Sequence, residues 1–364
     1  MQISRRYLLL APAALAACRR AARPPVVRAA DYLWSRQDSD GGWHSHTYGL
    51  LRSGQSLTPF VLDALLDLAA PPTSNLDRAI NFIREHTQRD GALGLTGDFP
   101  DYPNYATALA VKVLCRARPA GWESQVASIA AYLRAQQFTE QNGWRRPDPA
   151  YGAWGMGGER RTPPATGHVD LSMTRLVLEA LRTAGVSASD PIFEKALVYV
   201  ERCQNGDGGF HFTTTEYDTN KAGHDGRGFR SYGTATADGI LALRATGAPS
   251  TDRRVTRARE WLAAHHRGLT VPGFVGEAYQ RWPQGLSFYY AAAFTQAMRA
   301  DAAVIRELER AQRADGSWSK PNNLVKEDDP VIATAFAIRA LSTPQASAEP
   351  SSLTGGPSTL KAGR

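Results

Sequence analysis

Cysteine is scarce in this chain: three in 364 residues, Cys18, Cys115 and Cys203. That excludes a disulfide-built scaffold. Cys115 and Cys203 fall on apolar faces of expected helices, where a thiol is core material. Beyond the first 20 residues no apolar run is long enough to cross a bilayer. No stretch alternates apolar and polar residues as a half-buried strand does, so no sheet is expected. The formal net charge is +7, but the basic residues are scattered, and the run from Arg253 to Arg259 has no aromatic ladder beside it. It reads as a solvated helix face, and nucleic-acid binding is not expected.

What is present is self-similarity. QDSDGGW (37–43), QNGDGGF (204–210) and QRADGSW (312–318) each follow an amphipathic stretch. QRDGALGL (88–95), QFTEQNGW (137–144) and the degenerate HHRGLTVPGF (265–274) follow the same order. The expected anchors are Trp43, Leu93, Trp144, Phe210, Phe274 and Trp318. Such a recurrence marks a repeat architecture. Gln can bond exposed backbone ends, Asp-Gly supplies a turn with positive φ, and the aromatic folds back on the helix just left. A second helix of small and apolar residues follows each turn. One helix pair cannot bury its own faces, so the pairs must stack or close into a ring.

The ends read differently. Met1 to Cys18 is a targeting segment: Ser4-Arg5-Arg6-Tyr7-Leu8-Leu9 resembles a twin-arginine export signal, and Leu15-Ala16-Ala17-Cys18 a bacterial lipoprotein box. Lipidation at Cys18 would make the chain an exported, cell-envelope lipoprotein held to its membrane by the anchor. Residues 19–25 form a basic tether, 26–341 the repeats, and 342–364 a Ser/Pro/Gly/Thr-rich tail expected to be disordered.

Six helix pairs joined by Q-x-x-D-G-x-W turns resemble the prenyltransferase and squalene-cyclase repeat superfamily, over residues 26–341. The resemblance implies an all-α fold, an (α/α)6 toroid with six inner helices around a cavity and six outer ones surrounding them. The chain departs from the family's chemistry. It has no Asp-x-Asp-Asp acid for protonating an alkene; Asp38-Ser39-Asp40 belongs to a turn, and Glu327-Asp328-Asp329 reads as helix N-terminal charge before the Val331 helix. The zinc triad of protein prenyltransferases has no counterpart in Asp225–Gly233 or in the Tyr289-Tyr290 stretch, so no metal and no cofactor is implied.

Polar and aromatic residues near the starts of the inner helices remain: Tyr105, Trp154, His168, Tyr232, Thr234, Tyr289 and Tyr290 as ligand-binding, Asp170 and Asp238 as catalytic acids. Asp170 reads first as an N-cap, its carboxylate accepting from Met173 or nearby amides, and only then as an acid. Asp238 sits in the small-residue stretch TATADGILAL, where an acid needs a partner such as Lys221, Arg227 or Arg230. Three readings stay open: a tethered module binding an isoprenoid-like or other elongated apolar molecule, a cyclase-like enzyme using Asp170 or Asp238, and a carbohydrate-active enzyme with paired carboxylates.

Overall fold

In the computed structural model the described residues are 23–343, apart from 69–71, 98 and 300. The export signal, Cys18 and nearly all of the tail lie outside them. Helices occur in pairs, one outer and one inner. The pairs are α1 (Pro25–Ser35) with α2 (Leu57–Leu65), α3 (Thr73–His86) with α4 (Pro103–Ala117), and α5 (Trp122–Ala135) with α6 (Leu171–Thr183). They continue with α7 (Pro191–Arg202) and α8 (Gly233–Ala245), then α9 (Arg253–His265). A short α10 (Trp282–Gly285) precedes α11 (Ser287–Met298), and α12 (Ala302–Ala311) precedes α13 (Pro330–Ser342). Among the described residues there is no strand, only isolated bridges such as Gln204 with Phe210.

The two helix types follow from their patterning. Outer α12 buries only Val304 and Leu308, one apolar stripe on a charged helix. Inner α8 is buried from Gly233 through Leu243, so its small residues pack on every side. The inner helices pack side by side in the order α2, α4, α6, α8, α11, α13, and α13 packs back on α2. The ring is closed, which the periodicity alone left undecided.

The repeat turn shows how closure is built. Gln37 Nε2 donates to Gly41 O within its turn (2.9 Å) and to Asn75 O at the start of α3 (2.8 Å). Gln137 joins Gly152 O to Ile192 O, and Gln204 joins Gly208 O to Arg254 O. Gln312 joins Gly316 O to Pro25 O in α1, both at 2.8 Å, so the last repeat clips the first. The anchor amide then meets a threonine of the following inner helix. Trp43 N donates to Thr58 Oγ1, Leu93 N to Thr107, Phe210 N to Thr236 and Trp318 N to Thr334.

These bonds correct the third and fifth anchors. In repeat three it is Trp154 whose amide meets Thr174 and whose indole Nε1 donates to Leu133 O (2.7 Å), as Trp43 does to Leu33 O and Trp318 to Leu308 O. Trp144 instead stacks on Phe138 in the insertion before that anchor and donates to Arg161 O. In repeat five Phe274 is half-buried against Tyr232 and Trp282. Glu307 reaches back from α12 to accept the Leu269 amide (3.0 Å) in a turn that has no Gln.

Candidate functional site

Each inner helix is apolar, yet most carry a charge on the buried face, and those charges meet. Asp63 of α2 is fully buried and paired with Arg339 of α13, with Arg116 (2.9 Å) and with Lys112 of α4 (3.5 Å). Lys112 also pairs with Glu179 of α6 (3.4 Å), and Glu179 with Arg175 (3.6 Å). Arg175 Nη1 lies 3.5 Å from Asp238 Oδ1 of α8, and Tyr289 of α11 donates its hydroxyl to Asp238 Oδ2 (2.6 Å). The Tyr289 ring meets Phe336 of α13 edge-on at 5.3 Å. Signs alternate around this belt, so each buried charge has an opposite neighbour, as burial requires.

The ring encloses a cavity of about 330 Å³. That is at the lower end of small-molecule sites, about 300–1,000 Å³. Its wall is mostly apolar. Tyr105, Phe60, Phe336 and Tyr289 form an unbroken row of aromatic contacts at 6.3, 4.9 and 5.3 Å. Arg175 and Arg339 belong both to the belt and to the wall. Burial pulls Arg339 down to about 10. A polar group on the wall comprises His168, Asp170, Lys221, Tyr232 and Thr234.

Of the residues singled out from sequence, Tyr105, His168, Asp170, Tyr232, Thr234 and Tyr289 line the cavity. Asp238 lies behind the wall, reached by the hydroxyls of Ser172 and Tyr289 that line it. Trp154 and Tyr290 are not among the lining residues, a correction in both cases. Trp154 is the repeat anchor described above. Tyr290 stands where other inner helices carry the turn-binding threonine, and its hydroxyl lies 3.0 Å from His266 Nδ1. Lys221, Arg227 and Arg230 do not pair with Asp238; its cation is Arg175. Burial raises the Asp238 carboxyl above the usual range, against the pull of Arg175 and of the Ser172 and Tyr289 hydroxyls.

Asp170 caps α6: its Oδ1 accepts from Met173 N (2.7 Å). Its other oxygen lies 3.0 Å from His168 Nε2, whose Nδ1 is 3.1 Å from Glu216. The Asp170 bond, with Glu216 beyond it, raises the His168 pKa despite partial burial. Asp170 is the one carboxylate among the described residues lining the cavity. The pair of acids that glycoside hydrolysis uses, roughly 5–10 Å apart, is thus not found on the cavity wall.

The acidic cluster before α13 is structural, and it reaches two helices. Asp329 caps α13 through Val331 N (2.9 Å). Glu327 is fully buried and accepts the amides of Phe288 (3.0 Å) and Tyr289 (2.8 Å), which fixes the first turn of α11. Burial pushes its carboxyl up to about 8, although the two amides pull the other way. The folded state therefore holds a proton that an unfolded carboxyl near 4.5 has lost. This contribution is full below about pH 4.5 and disappears as pH rises through 8. Urea unfolding of the wild type is expected to show stability declining between pH 5 and pH 8, and Glu327→Gln should flatten that decline. An unchanged slope would contradict the assignment.

No family model matches the chain. It is 28% identical over 267 residues to the squalene–hopene cyclase of Bradyrhizobium diazoefficiens; the match takes in 71% of this chain and 32% of that enzyme. The chain thus spans about a third of the length of its curated relative. The type II terpene cyclase MstE of Scytonema, in a complex with geranylgeranyl dihydroxybenzoate, superposes with a TM-score of 0.52 at 13% identity, over 87% of this chain and 95% of that one. A novel α-amylase of Clostridium perfringens superposes with a TM-score of 0.55 at 12% identity, over 88% and 99%. At these identities the superpositions establish the fold alone. The fold they establish is the α/α toroid, and with its Gln-clipped repeat turns and the cyclase relative the chain is similar to terpenoid cyclase-like proteins.

Proposed function

We propose that the toroid binds an elongated apolar, isoprenoid-like molecule in its central cavity. The observation that carries this reading is the wall. An aromatic row lines one side, the arginines on it are neutralised by the belt behind, and a single carboxylate faces in. Apolar ligands gain most from such a surface. The squalene–hopene cyclase relative, and a structural neighbour holding a geranylgeranyl compound, support the same ligand class. A membrane tether through Cys18 remains part of the proposal, supported by the lipobox-like Leu15–Cys18 stretch. It would hold the cavity near the phase where such molecules dissolve.

The test is titration with geranylgeraniol of the wild type and of Val325→Trp, which places a large ring at the cavity wall. Binding by the wild type, and its loss in the variant at unchanged melting temperature, is expected. A wild type that binds nothing, or a variant that binds equally, would overturn the reading.

A second reading, cyclisation begun by proton transfer, is supported by one observation. Asp238 is buried, its carboxyl is raised, and the hydroxyls reaching it belong to cavity-wall residues. Incubation of geranylgeraniol or squalene with wild type and Asp238→Asn, followed by product analysis, tests it. Unchanged product formation in the variant would sink this reading and leave the binding one intact.

A further inference from the structure

The charges around the cavity balance except at two lysines, Lys326 and Lys221. Arg175 is balanced by Glu179 and Asp238, and Arg339 by Asp63. Asp170 is held by His168 and an amide. Lys326, also on the wall, lies 3.4 Å from the Tyr102 hydroxyl. Lys221 has no carboxylate within ion-pair distance among the described residues. Its ammonium instead sits 3.2 Å from the centroid of the Phe212 ring. The loop holds it there. The adjacent Asn220 accepts the amides of Phe212 and Thr213 (2.9 and 3.1 Å) and donates to Thr213 O (3.0 Å), so lysine and ring are set by one side chain. On the same cavity wall, Tyr232 is 1% exposed and its hydroxyl makes no hydrogen bond. A buried donor without an acceptor costs about 1–3 kcal/mol. Two donors on residues of one cavity wall, neither with a carboxylate or carbonyl acceptor among the described residues, point to an acceptor supplied by the ligand.

We propose that Lys221 and the Tyr232 hydroxyl receive a singly charged oxyanion head, a carboxylate, on the amphiphile whose chain fills the apolar cavity. The proposal rests on the cavity-binding reading above and names the head group of that ligand. Beside Lys221 the local charges favour a single negative charge on the head. Lys221 supplies one unpaired cation, and Asp170 on the same wall repels a second negative charge. Burial has brought the Lys221 ammonium down to about 8, and a bound anion would return what that burial removes. Cation–π contact with Phe212 holds the ammonium in place until an anion arrives.

Affinities of geranylgeranoic acid, geranylgeraniol and geranylgeranyl monophosphate for the full chain test this directly. The acid should bind about tenfold or more tighter than the alcohol, the range of a hydrogen bond to a charged group. Lys221→Met should abolish the preference for the acid over the alcohol. Lys221→Arg should retain the preference, and Tyr232→Phe should weaken the acid alone. Equal binding of acid and alcohol by the wild type would overturn this inference and leave the cavity reading standing. Tighter binding of the phosphate monoester than of the acid would overturn the singly charged head. Binding of none of the three would overturn the cavity reading, and this inference with it.

Discussion

Asp63→Ala is expected to lower the stability of the toroid by about 3–5 kcal/mol, the cost of leaving buried cations without their anion. Asp63 is completely buried and faces three cations: Arg339, Arg116 and Lys112. Arg339 is the most exposed to the loss, because its side chain is 9% accessible and its Nε already has no partner. Arg116 still has Asp67 (2.8 Å), and Lys112 still has Glu179. The pair also joins α2 to α13, the two inner helices that close the ring. Urea unfolding measures the effect. Asp63→Ala with Arg339→Met should recover a large part of the loss, since removing both charges of a buried pair is far milder than removing one. A double variant no more stable than Asp63→Ala would mean that packing, not charge, is what Asp63 supplies.

The second large effect is steric. Gly152 has φ +89, and a Cβ placed on it would lie 1.9 Å from Lys195 O of α7. The corresponding turn glycines Gly41, Gly91 and Gly316 would meet Arg78 O, Ser128 O and Arg28 O of the next outer helix, each at 2.5 Å. The turn needs glycine twice over: for the left-handed backbone and for the close approach of the next helix. Gly185→Ala separates the two causes. Gly185 has φ +83 with nothing within 4 Å of the added Cβ. Its alanine variant should cost about 1–2 kcal/mol, the left-handed penalty alone. Gly152→Ala should cost at least about 3 kcal/mol, because helix α7 has to move. Thermal unfolding of both variants distinguishes them, and equal losses would show that the approach of α7 is not what fixes the turn.

The fold was legible because its signal is local and repeated. A Gln, a turn glycine and a buried anchor recur at the end of outer helices, and each has a bond in the structure to account for it. The third anchor was misplaced because QFTEQNGW ends in an aromatic of its own. The turn glycine, Gly152, lies behind an insertion, and Tyr151 takes the place of the turn aspartate. Tyr151-Gly152-Ala153-Trp154 keeps the glycine, small residue and aromatic, and that triplet was the available signal. Tyr290 was misread for a related reason: by sequence it is one of two adjacent tyrosines, and only the helix phase sends Tyr289 to the cavity and Tyr290 to His266.

The site was legible only in part. Asp238 stood out as an acid in a small-residue helix. Asp63, Lys112, Arg175, Glu179 and Arg339 offered the same signal, a charge within an apolar helix, but each could pass alone for a solvated position. Their pairing runs between inner helices that are not adjacent in sequence, such as Arg339 to Asp63. Spacing along the chain therefore carries no trace of it. The same holds for the unpaired state of Lys221, which is visible only once the partners of the cavity charges are known.

Native mass spectrometry of the full chain, extracted with detergent from the cells that make it, is the sharpest test of whether the cavity holds an apolar ligand. A discrete noncovalent adduct with the mass of an isoprenoid-type lipid is expected, absent from the Val325→Trp variant purified in the same way. A wild-type protein that carries no such adduct, and takes up none when incubated with squalene or geranylgeraniol, would contradict the cavity-binding proposal.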